Sequence, residues 1–265
     1  MTWAVEVAGT LFAALVLAAI HVGADKIGSL HVVPRSSWLS ISGGAAVAYV
    51  FVHLFPELEE GQAVVGEIGL LGGFLDRHIY LFALFGFVLF YGLEILARHG
   101  SDDRVRSDAD GRIDGRADAG VRGIDHPLGE RTLDAFRLHV GTFAAYNAMI
   151  GYLLVHRYGD GPAELALFAL AMGLHLVVND DGLRRHFSDR YHTAGRWILA
   201  AGVLCGWAVA QVVAVSDVTL HVLYAVLAGG VILNVIKEEL PEERDSRIGP
   251  FLAGAVGFAI VLLAV

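Results

Sequence analysis

Apolar residues run in long blocks along this chain, separated by short stretches rich in Gly, Pro, Asp, Glu and Arg. A bilayer core of ~30 Å, at 1.5 Å of rise per residue, takes about 20 apolar residues in one helix. Eight blocks approach that length: 4–24, 38–57, 78–97, 134–156, 163–183, 195–215, 218–238 and 249–265. Each predicts a helix, because a segment in lipid must satisfy its backbone N–H and C=O groups internally. The pattern predicts an all-α membrane protein with one transmembrane domain over 1–265. Between the third and fourth blocks, 99–132 is rich in Asp, Gly and Arg and poor in large apolar side chains. It is read as a disordered loop.

Composition agrees. The chain is 55% hydrophobic and 18% charged, with a mean hydropathy of +0.59, where a soluble domain carries about a quarter charged residues. The net charge of −9 sits largely in loops, and no basic stripe suggests nucleic acid. Cys205 is the single cysteine, so an internal disulfide and a thiolate metal cluster are excluded. Beside Gly206 and Trp207 it reads as packing. Neither a nucleotide loop nor a catalytic motif is present, so an enzyme is not expected. The first block lacks a basic leader and a cleavage pattern, and is expected to be a retained helix.

Basic residues give an orientation. The loops after blocks one, three, five and seven hold seventeen of the nineteen Lys and Arg, leaving Arg77 and Arg157 for the opposite side. The positive-inside rule puts the first set, with loop 99–132, in the cytoplasm. Both termini are then expected outside the plasma membrane.

Two stretches echo each other. Gly43-Gly44 is followed after twelve residues by Pro56-Glu57, and Gly229-Gly230 after eleven by Pro241-Glu242. The first lies on a helix running outward and the second on one running inward. Repeats of opposite direction mark transporter folds whose site lies near the midplane. Pro-Glu also simply terminates helices, so the echo alone leaves both readings open.

With these motifs the chain resembles the ZIP family of divalent-metal transporters. His53-Leu54-Phe55-Pro56-Glu57 is similar to the end of that family's second helix. The stretch from Ala228 to Glu242 is similar to its seventh, and Gly257-Phe258 fits its eighth. The resemblance implies eight helices in a 3+2+3 inverted-repeat arrangement, with inward movement of a divalent cation such as Zn²⁺. The metal would be substrate rather than a tightly held cofactor. The lipid bilayer is the expected partner, and a homodimer is compatible. The family's fourth-helix motif, His-Asn-x-x-Asp/Glu-Gly, appears as Tyr146-Asn147-Ala148-Met149-Ile150-Gly151. Its fifth-helix motif, His/Gln-Glu/Asp-x-Pro-Glu/His-Gly, appears as His175-Leu176-Val177-Val178-Asn179-Asp180. The family's metal site is degenerate here.

What remains polar inside the apolar blocks is costly there and asks for a reason. Asn147, His175, Asn179 and Asp180 form the candidate metal set. His175 and Asn179 share a helix face, and neutral imidazole suits late divalent ions. The same residues could instead hydrogen-bond between helices. His53, Glu57, His139 and Glu238 are candidate pathway residues. Tyr49, His53 and Glu57 lie on one face, either as an entry funnel or as a solvated helix end. His21 and Asp25 repeat that spacing, and Glu94 is placed to pair with Arg98. Three functions stay open: a ZIP-like cation transporter, a transporter of another small solute, and a scaffold or sensor that lost its site.

Overall fold

The computed structural model describes residues 2–27, 35–66, 79–113, 128–159, 161–239 and 248–264. Among them every element is helical. In chain order these are α1 (Thr2–Ile27), α2 (Arg35–Tyr49), α3 (Phe55–Gly66), α4 (Ile79–Ile113), α5 (Leu128–Gly159), α6 (Pro162–Arg190), α7 (Arg196–Ala210), α8 (Asp217–Glu239) and α9 (Ile248–Leu263). One π-helical turn, Val50–Leu54, joins α2 to α3, and another, Tyr191–Gly195, joins α6 to α7. Seven helical stretches are long and apolar enough to cross a membrane, and α9 is a shorter apolar helix. The chain is a multi-pass membrane protein by that measure.

The second expected span, 38–57, extends as a helical stretch to Gln62, because the π turn absorbs an extra residue without ending the helix. Helix α4 continues to Ile113 and α5 begins at Leu128. Helical backbone therefore enters the polar 99–132 stretch from both sides, while 114–127 lie outside the described residues. Helices α5 and α6 form a hairpin through Gly161, whose φ of 125° suits only glycine without strain. Pro162, with φ already fixed near the helical value, then opens α6. Helix α6 breaks at Phe187 (φ −134°, ψ 41°).

The helices pack as two groups. In the first, α1, α5, α6 and α7 lie together. In the second, the α2–α3 rod packs with α4, α8 and α9. The groups meet along a seam where α2 touches α6, α4 touches α5, and α8 touches α5 and α6.

The second group is held by two helix pairs with one contact pattern. In α2/α9, a Cβ on Gly44 would strike Phe251 O and Ala255 N, and one on Gly254 would strike Ile41 O. In α8/α4, a Cβ on Gly229 would strike Ala83 O and Phe87 N, and one on Gly86 would strike Val226 O. Spacings match on all four helices: 41 and 44 against 226 and 229, with 251, 254 and 255 against 83, 86 and 87. Lipid tails are as apolar as the helices, so close backbone approach and dispersion hold such pairs. The contacts align Gly44 with Gly229, not with Gly230. Counted from these two glycines, the proline of each Pro-Glu pair lies twelve residues on, one residue more in the second copy than the Gly-Gly pairs suggested. Pro241 itself lies outside the described residues.

Candidate functional site: a polar seam between two helix groups

Several buried polar residues lie on the seam and others within the first helix group. At the seam's α5–α6 hairpin end is a cavity of about 480 Å³ lined by Val52, His53, Pro56, Glu57, Glu60, Arg157, Glu164 and His221. Both helix groups contribute: α3 and α8 with the π turn from one, α5 and α6 from the other. Arg157, 3% exposed, ion-pairs with Glu57, and its guanidinium lies 4.2 Å from the Tyr224 ring centroid. An arginine this deep needs both a carboxylate and a π face, since a charge without them is expelled. His53 Nε2 lies 2.9 Å from Glu164 Oε2, crossing the seam from the π turn to α6.

Below this cavity the seam turns apolar. Tyr49, Leu54, Ile150, Leu153, Phe168 and Met172 are all fully buried. Tyr49 packs edge-on to Phe168 and Phe258 and lies against the His53 ring, 5.0 Å between centroids.

A turn further from the hairpin end are the residues that correspond to the degenerate motifs. Tyr146 and His175 meet, with hydroxyl and Nε2 3.2 Å apart. Tyr146 also donates to Leu227 O, at 3.4 Å. The phenol thus occupies one of the two imidazole nitrogens that could ligate a metal. His175 Nδ1 has no hydrogen-bond partner among the described residues. Asn147 is 1% exposed, and neither atom of its amide has a partner there. Its Cβ faces Gly202 of α7, so it lies inside the first helix group.

Asn179 and Asp180 have been drawn apart. Asn179 accepts a hydrogen bond from Asn234 of α8, across the seam. Asp180 turns the other way to α1, with both carboxylate oxygens 2.9 Å from His21 Nδ1. Asn147, His175, Asn179 and Asp180 are thus all buried, but each has a different neighbour. Among the described residues no three His, Cys, Asp or Glu side chains gather where they could hold a metal.

Toward the other end, Glu94 ion-pairs with Lys237 at 2.8 Å and lies 3.6 Å from His139. These contacts come from α8 and α5; the expected Glu94 to Arg98 pair falls on a side chain that lies outside the described residues. His139 is therefore part of a charged cluster that spans the seam. Asp181 ion-pairs with Arg184 and Arg185. Helix α8 includes the backbone of Glu238, while the side chains of Glu238 and Asp25 lie outside the described residues.

Arg157, Glu164, His221, Glu60 and Asn234 were not among the candidates from sequence. Arg157, Glu164 and His221 lie near the ends of apolar blocks and resemble solvated helix termini. Asn234 did carry a signal, being an amide within an apolar run, where polar groups are expensive.

The fold and seam define a multi-pass membrane protein with a buried polar boundary between two helix groups. Compared with family models, curated proteins and solved structures, the chain matches none.

Proposed function

We propose that the protein is a ZIP-like secondary transporter that carries a divalent metal cation into the cytoplasm. The observation that carries this reading is the seam. Polar pairs cross it at several levels, Glu57–Arg157 and His53–Glu164 at one end, Asn179–Asn234 deeper and Glu94 with Lys237 and His139 at the other, and a charged cavity opens at one end. Alternating access requires such a boundary, since one group rocks or slides against the other around a site near the midplane. The matched glycine contacts of α2/α9 and α8/α4 fit the 3+2+3 inverted repeat, and α5/α7 packs with the same spacing, through Gly151 on Val203 O and Gly206 on Ala148 O, without being part of that match. In that register Tyr49 corresponds to Asn234 and His53 to Glu238. The hairpin end is outside, with both termini, and the Lys237 end is cytoplasmic, following the Lys and Arg count.

In this reading Tyr146–His175 is the level at which cargo is recognised. A cation reaching it takes Nε2 from the tyrosine hydroxyl. A neutral imidazole without a carboxylate beside it binds a divalent ion weakly, which suits transport better than storage.

A second reading has its own observation. The Tyr146 hydroxyl already occupies His175 Nε2, and among the described residues no carboxylate gathers with them to hold a metal. This favours a small uncharged or singly charged solute on the same route.

Reconstituted vesicles containing a divalent-metal indicator test both. Saturable uptake of Zn²⁺, Mn²⁺ or Cd²⁺, lost in His175→Ala, is expected. Protein that is folded and moves none of these ions overturns the metal reading and leaves the second.

A further inference from the structure

We infer that the hairpin end of the seam is closed by a latch, the His53–Glu164 and Glu57–Arg157 contacts, carried on a hinge at the α2–α3 joint, and that a proton on His53 holds the latch shut. This rests on the transport reading and specifies how entry to the seam is regulated.

Both contacts cross from one helix group to the other, in opposite senses. Glu57, on α3, gives its carboxylate to Arg157 of α5, so there the first group supplies the cation. His53, one turn earlier on the same rod, meets Glu164 of α6, so there the first group supplies the anion. His53 and Glu57 are four residues apart and share a face, while Arg157 and Glu164 flank the α5–α6 hairpin. One rod is thereby fastened to one hairpin at two points, and neither fastening survives if the groups part at this end.

The two fastenings differ in what they need. An arginine keeps its charge at every working pH, and Arg157 is also seated on Tyr224. His53 Nε2 and Glu164 Oε2 lie 2.9 Å apart, yet neither atom takes part in an aligned hydrogen bond among the described residues. Charge more than direction therefore joins them, and an imidazole carries that charge only when protonated. The two side chains are 22% and 25% exposed, so protons from solution at the hairpin end reach them through the cavity. The other titratable and charged groups facing His53 are Glu57 and Glu60 of α3, Arg157 of α5 and His221 of α8, with the Tyr49 ring of α2 lying against it. Glu57 is taken by Arg157. Glu60 and His221 belong to the same helix group as His53, so their titration makes no link across the seam.

The rod is weakest where His53 sits. In the π turn Val50–Leu54 the Phe55 N–H donates to Val50 O, closing a wider ring than in an α-helix, and such turns recur at functional sites. Pro56 follows and has no N–H to give to a carbonyl one turn back. Helices kink at points of both kinds. Opening of the latch therefore swings α3 about residues 50–56 while α2 keeps its glycine contacts with α9. Loss of the proton from His53 weakens one of the two fastenings. The hairpin end thus opens more readily as pH rises and stays shut in acid.

Pulsed electron resonance on the purified full-length protein, on a Cys205→Ala background, tests this with spin labels at Glu59→Cys on α3 and Ala166→Cys on α6, both exposed. Two separations are expected. The short-to-long ratio should rise about threefold, the scale of a partly exposed ion pair, between about pH 8 and about pH 5, where a histidine side chain changes charge. His53→Gln and Glu164→Gln should each remove that pH dependence. Both native side chains reach solvent, so the amides keep the fold, and an unchanged melting midpoint verifies it. A control pair within the first group, Ala166→Cys with Val209→Cys, should keep one distance throughout. A single α3–α6 separation at both pH values, or a shift that survives His53→Gln, overturns the latch. If the distances behave as expected and reconstituted vesicles take up no ion, only the transport reading falls. If vesicles take up Zn²⁺ while the α3–α6 ratio ignores pH, only the latch falls.

Discussion

The hairpin end of the seam and the level of Tyr146 and His175 lie roughly 16 Å apart along α5, yet they are built from different chemistry. At the hairpin end the side chains carry full charges: Glu57, Glu60, Arg157 and Glu164. At the deeper level they are a phenol, an imidazole and amides. Water explains the difference. The cavity admits it, so a carboxylate there keeps part of its hydration, and only Arg157 is deep enough to need a dedicated partner. Tyr146 is only 3% exposed, and a charge there without a counter-ion costs several kcal/mol. The deeper level is therefore polar without a formal charge.

Placing carboxylates at the deeper level breaks this contrast most severely. Ile150→Glu with Leu176→Glu puts two acids where both native side chains are fully buried. Without metal, each should destabilise the fold by about 2.5–3.5 kcal/mol, read as a lowered unfolding midpoint in detergent. Zn²⁺ or Cd²⁺ should restore much of the loss, because two charges facing a divalent ion offset its desolvation. A smaller effect is expected from Glu57→Gln, which takes the carboxylate from the buried Arg157. About 3 kcal/mol is expected, toward the low side because Glu57 itself is 23% exposed. Tyr146→Phe removes one neutral hydrogen bond to His175 and should cost about 1 kcal/mol, while freeing Nε2 and so strengthening Zn²⁺ binding. Glu60→Gln, at the exposed rim, should change stability by less than about 0.5 kcal/mol. If the rim glutamate and the Glu57 carboxylate proved equally costly to neutralise, the contrast between solvated and buried charge would be wrong.

How much of this was legible in the sequence depends on the length of the signal. Helices were legible because lipid leaves a long apolar run one way to satisfy its backbone. The echo of Gly44 and Gly229 was visible, but not its register, because two adjacent glycines look equivalent until a neighbour's carbonyl selects one. His175 was legible as a buried polar residue, but its expected neighbour was Asn147, and the side chain that meets its Nε2 is Tyr146. Asn179 and Asp180 were grouped with them by spacing, but adjacent helix positions point about 100° apart. One therefore meets α8 and the other α1. Arg157 was counted as a loop charge because it follows the end of an apolar block. Its burial depends on Glu57 and Tyr224 arriving from distant parts of the chain.

If the two helix groups move against each other along the seam, pulsed electron resonance distances report it most directly. On a Cys205→Ala background, spin labels at Trp3→Cys and Val209→Cys lie within the first group, on α1 and α7. A label at Leu263→Cys on α9 lies in the second, and all three native side chains are exposed. On adding Cd²⁺, the Val209 to Leu263 distance should shift by about 5 Å, the scale of one helix turn. The Trp3 to Val209 distance should stay fixed. Equal shifts in both pairs, or no shift in either while the vesicles take up Cd²⁺, would contradict the account.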